Sequence, residues 1–63
     1  MIKVGRYSED DLNNNKDKSD IARKQQETGL KYIFYKTEKR KGRKYLNVYL
    51  GTLDEYLKEG REI

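Results

Sequence analysis

Two runs of strand-forming residues, LKYIFYKTEK (30–39) and RKYLNVYL (43–50), flank a polar Arg40-Lys41-Gly42, and no other feature constrains the fold of this chain as strongly. Both runs are rich in aromatic and β-branched side chains, which pack well on a pleated surface, and the interval between them has the length of a tight turn. The pattern predicts an antiparallel β-hairpin. Gly42 adopts positive φ at no steric cost, so a three-residue loop closing with a glycine bulge is expected, pairing Lys39 with Arg43. That register places Leu30, Tyr32, Phe34, Leu46, Val48 and Leu50 on one face as a core, with Lys36, Glu38 and Lys44 toward the tip. Lys31, Ile33, Tyr35, Thr37, Lys39, Arg43, Tyr45, Asn47 and Tyr49 then form a basic, aromatic outer face. A two-residue loop at Lys41 and Gly42 would shift the strands by one and mix the two faces, because side-chain direction alternates with a period of two. The three-residue loop is preferred because it segregates the faces more cleanly.

The same segment carries the charge. Between Lys31 and Lys44 seven cations (Lys31, Lys36, Lys39, Arg40, Lys41, Arg43 and Lys44) stand against one acid, Glu38, a local charge of +6. The remainder of the chain holds eight cations and ten acids, so the modest overall charge of +4 conceals a polarised molecule. Clustered positive charge interleaved with tyrosines is the footprint of a surface that meets phosphates and bases. The alternative use of such a tip is a solvated edge, since exposed lysines protect sheets from edge-to-edge pairing; one or two would suffice for that.

Around the hairpin the pattern is weaker. Ile2 and Val4 alternate with Lys3 and Gly5 before Arg6 and Tyr7, which predicts a short edge strand. Residues 8–20, SEDDLNNNKDKSD, contain one apolar residue and three consecutive asparagines, and read as a loop or frayed turn. In that segment Glu9, Asp10 and Asp11 suit a turn started by Ser8. Ser19 can cap a short helix through IARKQQE with Gly29 ending it, but only Ile21 and Ala22 give it an apolar face. After Gly51, Thr52 and Glu55 form a capping box at the head of LDEYLKE. Leu53, Tyr56 and Leu57 make one apolar stripe to cover the core face of the hairpin, and Gly60 is placed to stop the helix.

With 63 residues the chain forms one domain at most, burying only about 60% of its unfolded surface. Residues 30–60 are expected to form the ordered core of an α+β fold, a hairpin or three-stranded antiparallel sheet packed on a C-terminal helix, with 8–28 a loop or weak helix. Cysteine and histidine are absent, so stability must come from packing, local structure or oligomerisation, including a homodimer paired through the first strand. No apolar run approaches the roughly 18 residues of a membrane span, and MIKVGRYSEDD lacks the apolar stretch of a signal peptide. A cytoplasmic protein without membrane contact is expected.

Catalytic chemistry has few candidates here. There is no histidine, thiol or glycine-rich phosphate loop, and no acid pair is set by pattern in an apolar pocket, so a non-enzymatic protein without cofactors is expected. Asp11, Asn13, Asn15 and Asp17 mimic half of a calcium loop, but Lys16 stands where the turn glycine is needed and Ala22 where a bidentate glutamate closes the site. No metal site is expected.

The run from Tyr32 to Tyr56, an aromatic strand, a KGRK turn, a second aromatic strand ending YLG, then TLDEY at a helix start, resembles the small hairpin-plus-helix modules at the N-termini of phage-type integrases and of some transposases. The resemblance covers less than half the chain. It implies a sheet laid against DNA with the helix behind, and places Lys39, Arg40, Lys41, Arg43, Tyr45 and Asn47 near nucleic acid.

The expected function is nucleic-acid binding, with duplex DNA favoured. Lys36, Lys39, Arg40, Lys41, Arg43 and Lys44 would contact phosphates; Tyr35, Tyr45 and Tyr49 would stack on bases, and Asn47 would read a base edge. Tyrosines are also good strand formers that cover a neighbouring layer or subunit, so stacking and packing both remain open for each. The alternative is a protein-binding module or inhibitor of viral or plasmid type that occupies an acidic or nucleic-acid-binding surface on a host protein.

Overall fold

The computed structural model describes residues 1–59. The hairpin forms, but about a two-residue loop. Strands β2 (Tyr32–Arg40) and β3 (Arg43–Gly51) pair antiparallel with Arg40 opposite Arg43 and Lys39 opposite Lys44, which corrects the expected Lys39–Arg43 register. The reason is local: Lys41 (φ 50°) and Gly42 (φ 78°) both occupy the left-handed region. Positive φ at both central residues defines a type I′ turn, whose twist matches that of the flanking strands. Holding Lys41 there costs about 1 kcal/mol, which the regular nine-residue ladder on each side offsets.

The shifted register redistributes the faces. Ile33, Tyr35, Thr37 and Lys39 now share a side with Lys44, Leu46, Val48 and Leu50, whereas Tyr32, Phe34, Lys36, Glu38 and Arg40 share the other with Arg43, Tyr45, Asn47, Tyr49 and Gly51. Tyr32 and Phe34 therefore leave the expected core face, and Tyr35 leaves the expected outer one.

β1 (Ile2–Tyr7) pairs antiparallel with β3, giving the strand order β1-β3-β2 with β3 in the middle and β1 on an edge. Its register slips between Lys3 and Gly5, a bulge that leaves Val4 without a partner. Lys3 lies opposite Tyr49 and Arg6 opposite Asn47, so both cations face the tyrosine side, while Tyr7, opposite Leu46, turns into the core. Gly5 is required there by close approach: a Cβ would sit 2.8 Å from the Tyr7 hydroxyl oxygen, because the Tyr7 ring lies back along its own strand.

Residues 8–28 are more ordered than the sequence predicts. α1 (Glu9–Asn13) starts from a capping box in which the Ser8 hydroxyl accepts from the Asp11 N–H and the Asp11 carboxylate accepts from the Ser8 N–H. That N–H holds the Asp11 carboxyl below its usual range. α2 (Lys16–Thr28) begins three residues before the expected Ser19 cap, from Asn15 in the left-handed conformation. It ends as expected at Gly29, φ 74°, whose N–H bonds to the Gln25 carbonyl at 2.8 Å.

Ile21 of α2 joins Tyr7, Val48 and Leu50 in the core, with Val4, Leu12, Leu30, Ile33 and Leu46 packed around them. One polar contact ties the layers: the Tyr7 hydroxyl donates to Asp20 Oδ2 at 2.9 Å, and Arg23 donates to the other Asp20 oxygen at 3.1 Å.

α3 (Leu53–Glu59) carries the expected box, with Thr52 and Glu55 bonding reciprocally through side chain and backbone. Its position is a correction, since it covers one end of the tyrosine face rather than the Leu46–Leu50 side. Tyr56 makes the ring contacts, 5.0 Å from the Tyr32 ring centroid and 6.0 Å from that of Phe34, but like Leu53 and Leu57 it stays exposed. The shift follows from register, because Tyr32, Phe34 and Gly51 offer an aromatic bed on that side and α1 and α2 already occupy the other. The Met1 ammonium group pairs with Glu55 and, with the Thr52 N–H, holds that carboxyl below its usual range. Gly60, expected to stop the helix, lies outside the described residues.

Burial, together with the bond to Asp20, pushes the Tyr7 phenol up to about 12. A folded-state value above the unfolded one means stabilisation that is complete below pH ~10 and is lost as pH rises toward ~12. Tyr7→Phe should therefore lower stability by about 1 to 2 kcal/mol at pH 7 and show a shallower alkaline decline in denaturant titrations. An equal alkaline decline in both proteins would contradict the protected phenol.

Candidate nucleic-acid interface

Because α3 covers only the Tyr32–Phe34 end, the rest of this sheet face is open, and its three strands divide the chemistry. The middle strand presents Tyr45, Asn47 and Tyr49. The outer strands present cations, Lys3 and Arg6 from β1 and Lys36 and Arg40 from β2, with Arg43 at the tip. Among the described residues the strands bring five cations and one acid, Glu38, to this face, and α3 at its end adds Asp54, Glu55, Lys58 and Glu59. The helical layer behind the sheet carries six acids and four bases across α1 and α2. The positive charge of the open face is thus carried by its strands, while Lys39 and Lys44 lie on the α1–α2 side.

The tyrosine rings organise the cations. The Arg6 guanidinium lies 4.9 Å from the Tyr45 ring centroid, and Tyr49 is approached from both sides, by Lys3 at 6.0 Å and Lys36 at 5.8 Å. Such interactions contribute about 0.5 to 1 kcal/mol each at exposed sites, enough to bias these side chains toward the face without fixing them. Glu38 accepts from Arg6 at 3.3 Å and lies 3.7 Å from the Arg40 Nε, holding two cations of opposite strands by one carboxylate. Near the turn an open depression of about 440 Å³ is lined by Arg6, Arg40, Lys41, Arg43 and Tyr45, four cations around one ring.

Asn47 is the exception on this open face. It is only 5% exposed, and its Oδ1 is buried with no hydrogen-bond partner. An orphan of this kind costs about 1 to 3 kcal/mol.

Of the residues expected to bind, Lys36, Arg40, Arg43, Tyr45, Asn47 and Tyr49 come together here, and Lys41 sits in the turn beside them. Tyr35 and Lys39 do not, because the two-residue loop turns them to the opposite side, where Lys44 stays as expected beside Leu46; the same register brings Lys36, expected on the core face, over to the tyrosines. There Lys44 lines a groove between the hairpin and α1, together with Glu9, Asp10 and Thr37. Lys3 and Arg6 join the face without having been expected from the sequence. Their three-residue spacing puts them on opposite faces of a regular strand, and only the bulge unites them; Gly5 within a strand pattern is the signal that could have revealed it.

Among the described residues no group of His, Cys, Asp and Glu side chains is placed to hold a metal ion, and no helix is long and apolar enough to cross a membrane. Comparison with protein-family models, curated proteins and solved structures found no match to this chain.

The geometry makes Glu38 a restraint on the cations rather than a structural necessity, since exposed ion pairs contribute about 0 to 1 kcal/mol. Glu38→Gln should leave thermal stability nearly unchanged and should elute from a heparin column at higher salt than the parent protein. Earlier elution would contradict the open face as the polyanion-binding surface.

Proposed function

We propose that this chain is a small, non-enzymatic cytoplasmic nucleic-acid-binding protein that lays the open face of its sheet against duplex DNA. The supporting observation is the division of labour across the strands. With strands about 4.8 Å apart, the cation-bearing outer strands lie about 10 Å apart, close to the roughly 12 Å width of a major groove. In that pose Lys3 and Arg6 approach one backbone, Lys36 and Arg40 the other, and the Tyr45-Asn47-Tyr49 row of β3 faces the base edges. Phosphate contacts position the protein, and the central row supplies what base preference it has. The acidic helical layer points away from the DNA and helps orient the approach. The resemblance to integrase N-terminal modules implies a following helix behind the sheet, whereas α3 lies at one end of the open face, so the pose rests on the strand chemistry and not on the resemblance.

A second reading, a module that binds a host protein through the same basic face, draws on one observation. Leu53, Tyr56 and Leu57 remain 49%, 45% and 44% exposed on α3 beside the cations, an apolar set of the kind that anchors protein partners.

Fluorescence anisotropy with a labelled 20-bp duplex over a salt series tests the proposal. Two double variants remove the same charge from opposite faces. Arg40→Ala with Arg43→Ala should weaken binding at least tenfold at low salt and reduce the salt slope by about 0.9 for each phosphate no longer neutralised. Lys39→Ala with Lys44→Ala should have a clearly smaller effect on both. Equal effects of the two pairs would contradict the face assignment, and no binding by the parent protein at low salt would contradict the nucleic-acid reading.

A further inference from the structure

We propose that Asn47 is an adenine-reading residue, enclosed in the free protein among Arg6, Lys36, Tyr45 and Tyr49 and exposed when the two cations engage DNA. The inference rests on the nucleic-acid reading and assigns its specificity. Asn47 occupies the middle of the middle strand, with Arg6 opposite on β1, Lys36 opposite on β2, and Tyr45 and Tyr49 two residues away on the same face. It is therefore the floor of a well with four long side chains as walls. A strand position on an open face has no need of an amide, since valine or isoleucine would pack there without an orphaned acceptor. Here the orphan is nine-tenths buried at the centre of the surface that carries the charge.

The amide chemistry selects the partner. Side by side it presents an acceptor and a donor, so it matches a base edge offering a donor beside an acceptor. In the major groove adenine does this through its N6 amino group and N7, whereas guanine shows two acceptors, cytosine a donor alone and thymine an acceptor alone. The covering is also explained. Arg6 leans over Tyr45 and Lys36 over Tyr49, both exposed and held only by ring faces and, for Arg6, by Glu38. These are the side chains that reach for the two phosphate backbones. As they leave the rings for the phosphates, the Tyr45 and Tyr49 side chains on either side of Asn47 are freed to part, so backbone contact comes first and base reading follows from it.

The test uses three 20-bp duplexes: one with an A·T core, one with a G·C core, and the A·T duplex carrying 7-deazaadenine, which lacks N7 and keeps the rest of the base pair. The parent protein should bind the A·T duplex about tenfold more tightly than the G·C duplex and should lose most of that preference on the 7-deazaadenine duplex. Asn47→Leu should bind all three alike, keep the parent salt slope, and melt no lower than the parent. Equal binding of the A·T and G·C duplexes by the parent, preference surviving 7-deazaadenine, preference surviving Asn47→Leu, or a lowered melting temperature of that variant would each overturn the assignment. The 7-deazaadenine comparison needs no variant to fold. Failure of the parent to bind any duplex at low salt would instead overturn the nucleic-acid reading on which the assignment stands.

Discussion

The left-handed pair Lys41-Gly42 determines the direction of every side chain in the two longest strands. A type I′ turn admits only one register, Arg40 against Arg43, and from that pairing the alternation of the pleat propagates through both strands to Tyr32 and Gly51. One residue more in the loop would exchange the surroundings of one whole strand. As built, the turn sends Leu46, Val48 and Leu50 toward α1 and α2, and Tyr45, Asn47 and Tyr49 to the opposite, open face. The bulge at Val4 is the second parity device. It brings Lys3 and Arg6 to the tyrosine side and Tyr7 to the core, where its hydroxyl can reach Asp20.

These two local features produce a two-sided molecule. One side of the sheet is sealed by an acidic helical layer through Ile21, Leu12 and the Tyr7–Asp20 bond. The other is sealed only at one end by the Tyr56 ring and is otherwise a field of cations held loosely over tyrosines. The contrast in anchoring matters for binding. Side chains restrained by cation–π interactions and a single exposed carboxylate are already gathered at the surface, yet little energy opposes their movement to a phosphate. The cost of the arrangement is concentrated at Asn47, whose buried acceptor lowers stability in the free protein.

Much of the fold is legible in the sequence because it depends on short-range chemistry. The hairpin, the Thr52–Glu55 capping box, the Gly29 stop and the first strand all follow from residue type at fixed spacing. Register is harder. Lys41-Gly42 and Arg40-Lys41-Gly42 are both acceptable turns, and the apolar residues segregate more cleanly in the alignment that the protein does not adopt. What the pattern does not show is that the sheet is packed on both sides, so Tyr32 and Phe34 have a second place to be buried, under Tyr56. The length of α2 escapes the pattern for a related reason: its polar stretch Lys16–Ser19 is a weak helix former alone, and tertiary packing through Ile21 and Tyr7 sustains it. At the candidate site the tip cations are visible as a charge cluster, whereas Lys3 and Arg6 become part of it only through a bulge and a long-range strand pairing.

The two faces of one sheet thus have different work, packing on the α1–α2 side and, as proposed, DNA contact on the other. The most direct measurement is a two-dimensional NMR titration of the isotopically labelled protein with a 20-bp duplex at low salt, following backbone amides together with the Asn47 side-chain amide. The largest shifts are expected at Lys3, Arg6, Lys36, Arg40, Arg43, Tyr45, Asn47 and Tyr49, with α1 and α2 nearly unmoved. Shifts concentrated in α1 and α2, or on Tyr35, Lys39 and Lys44, would contradict the claim.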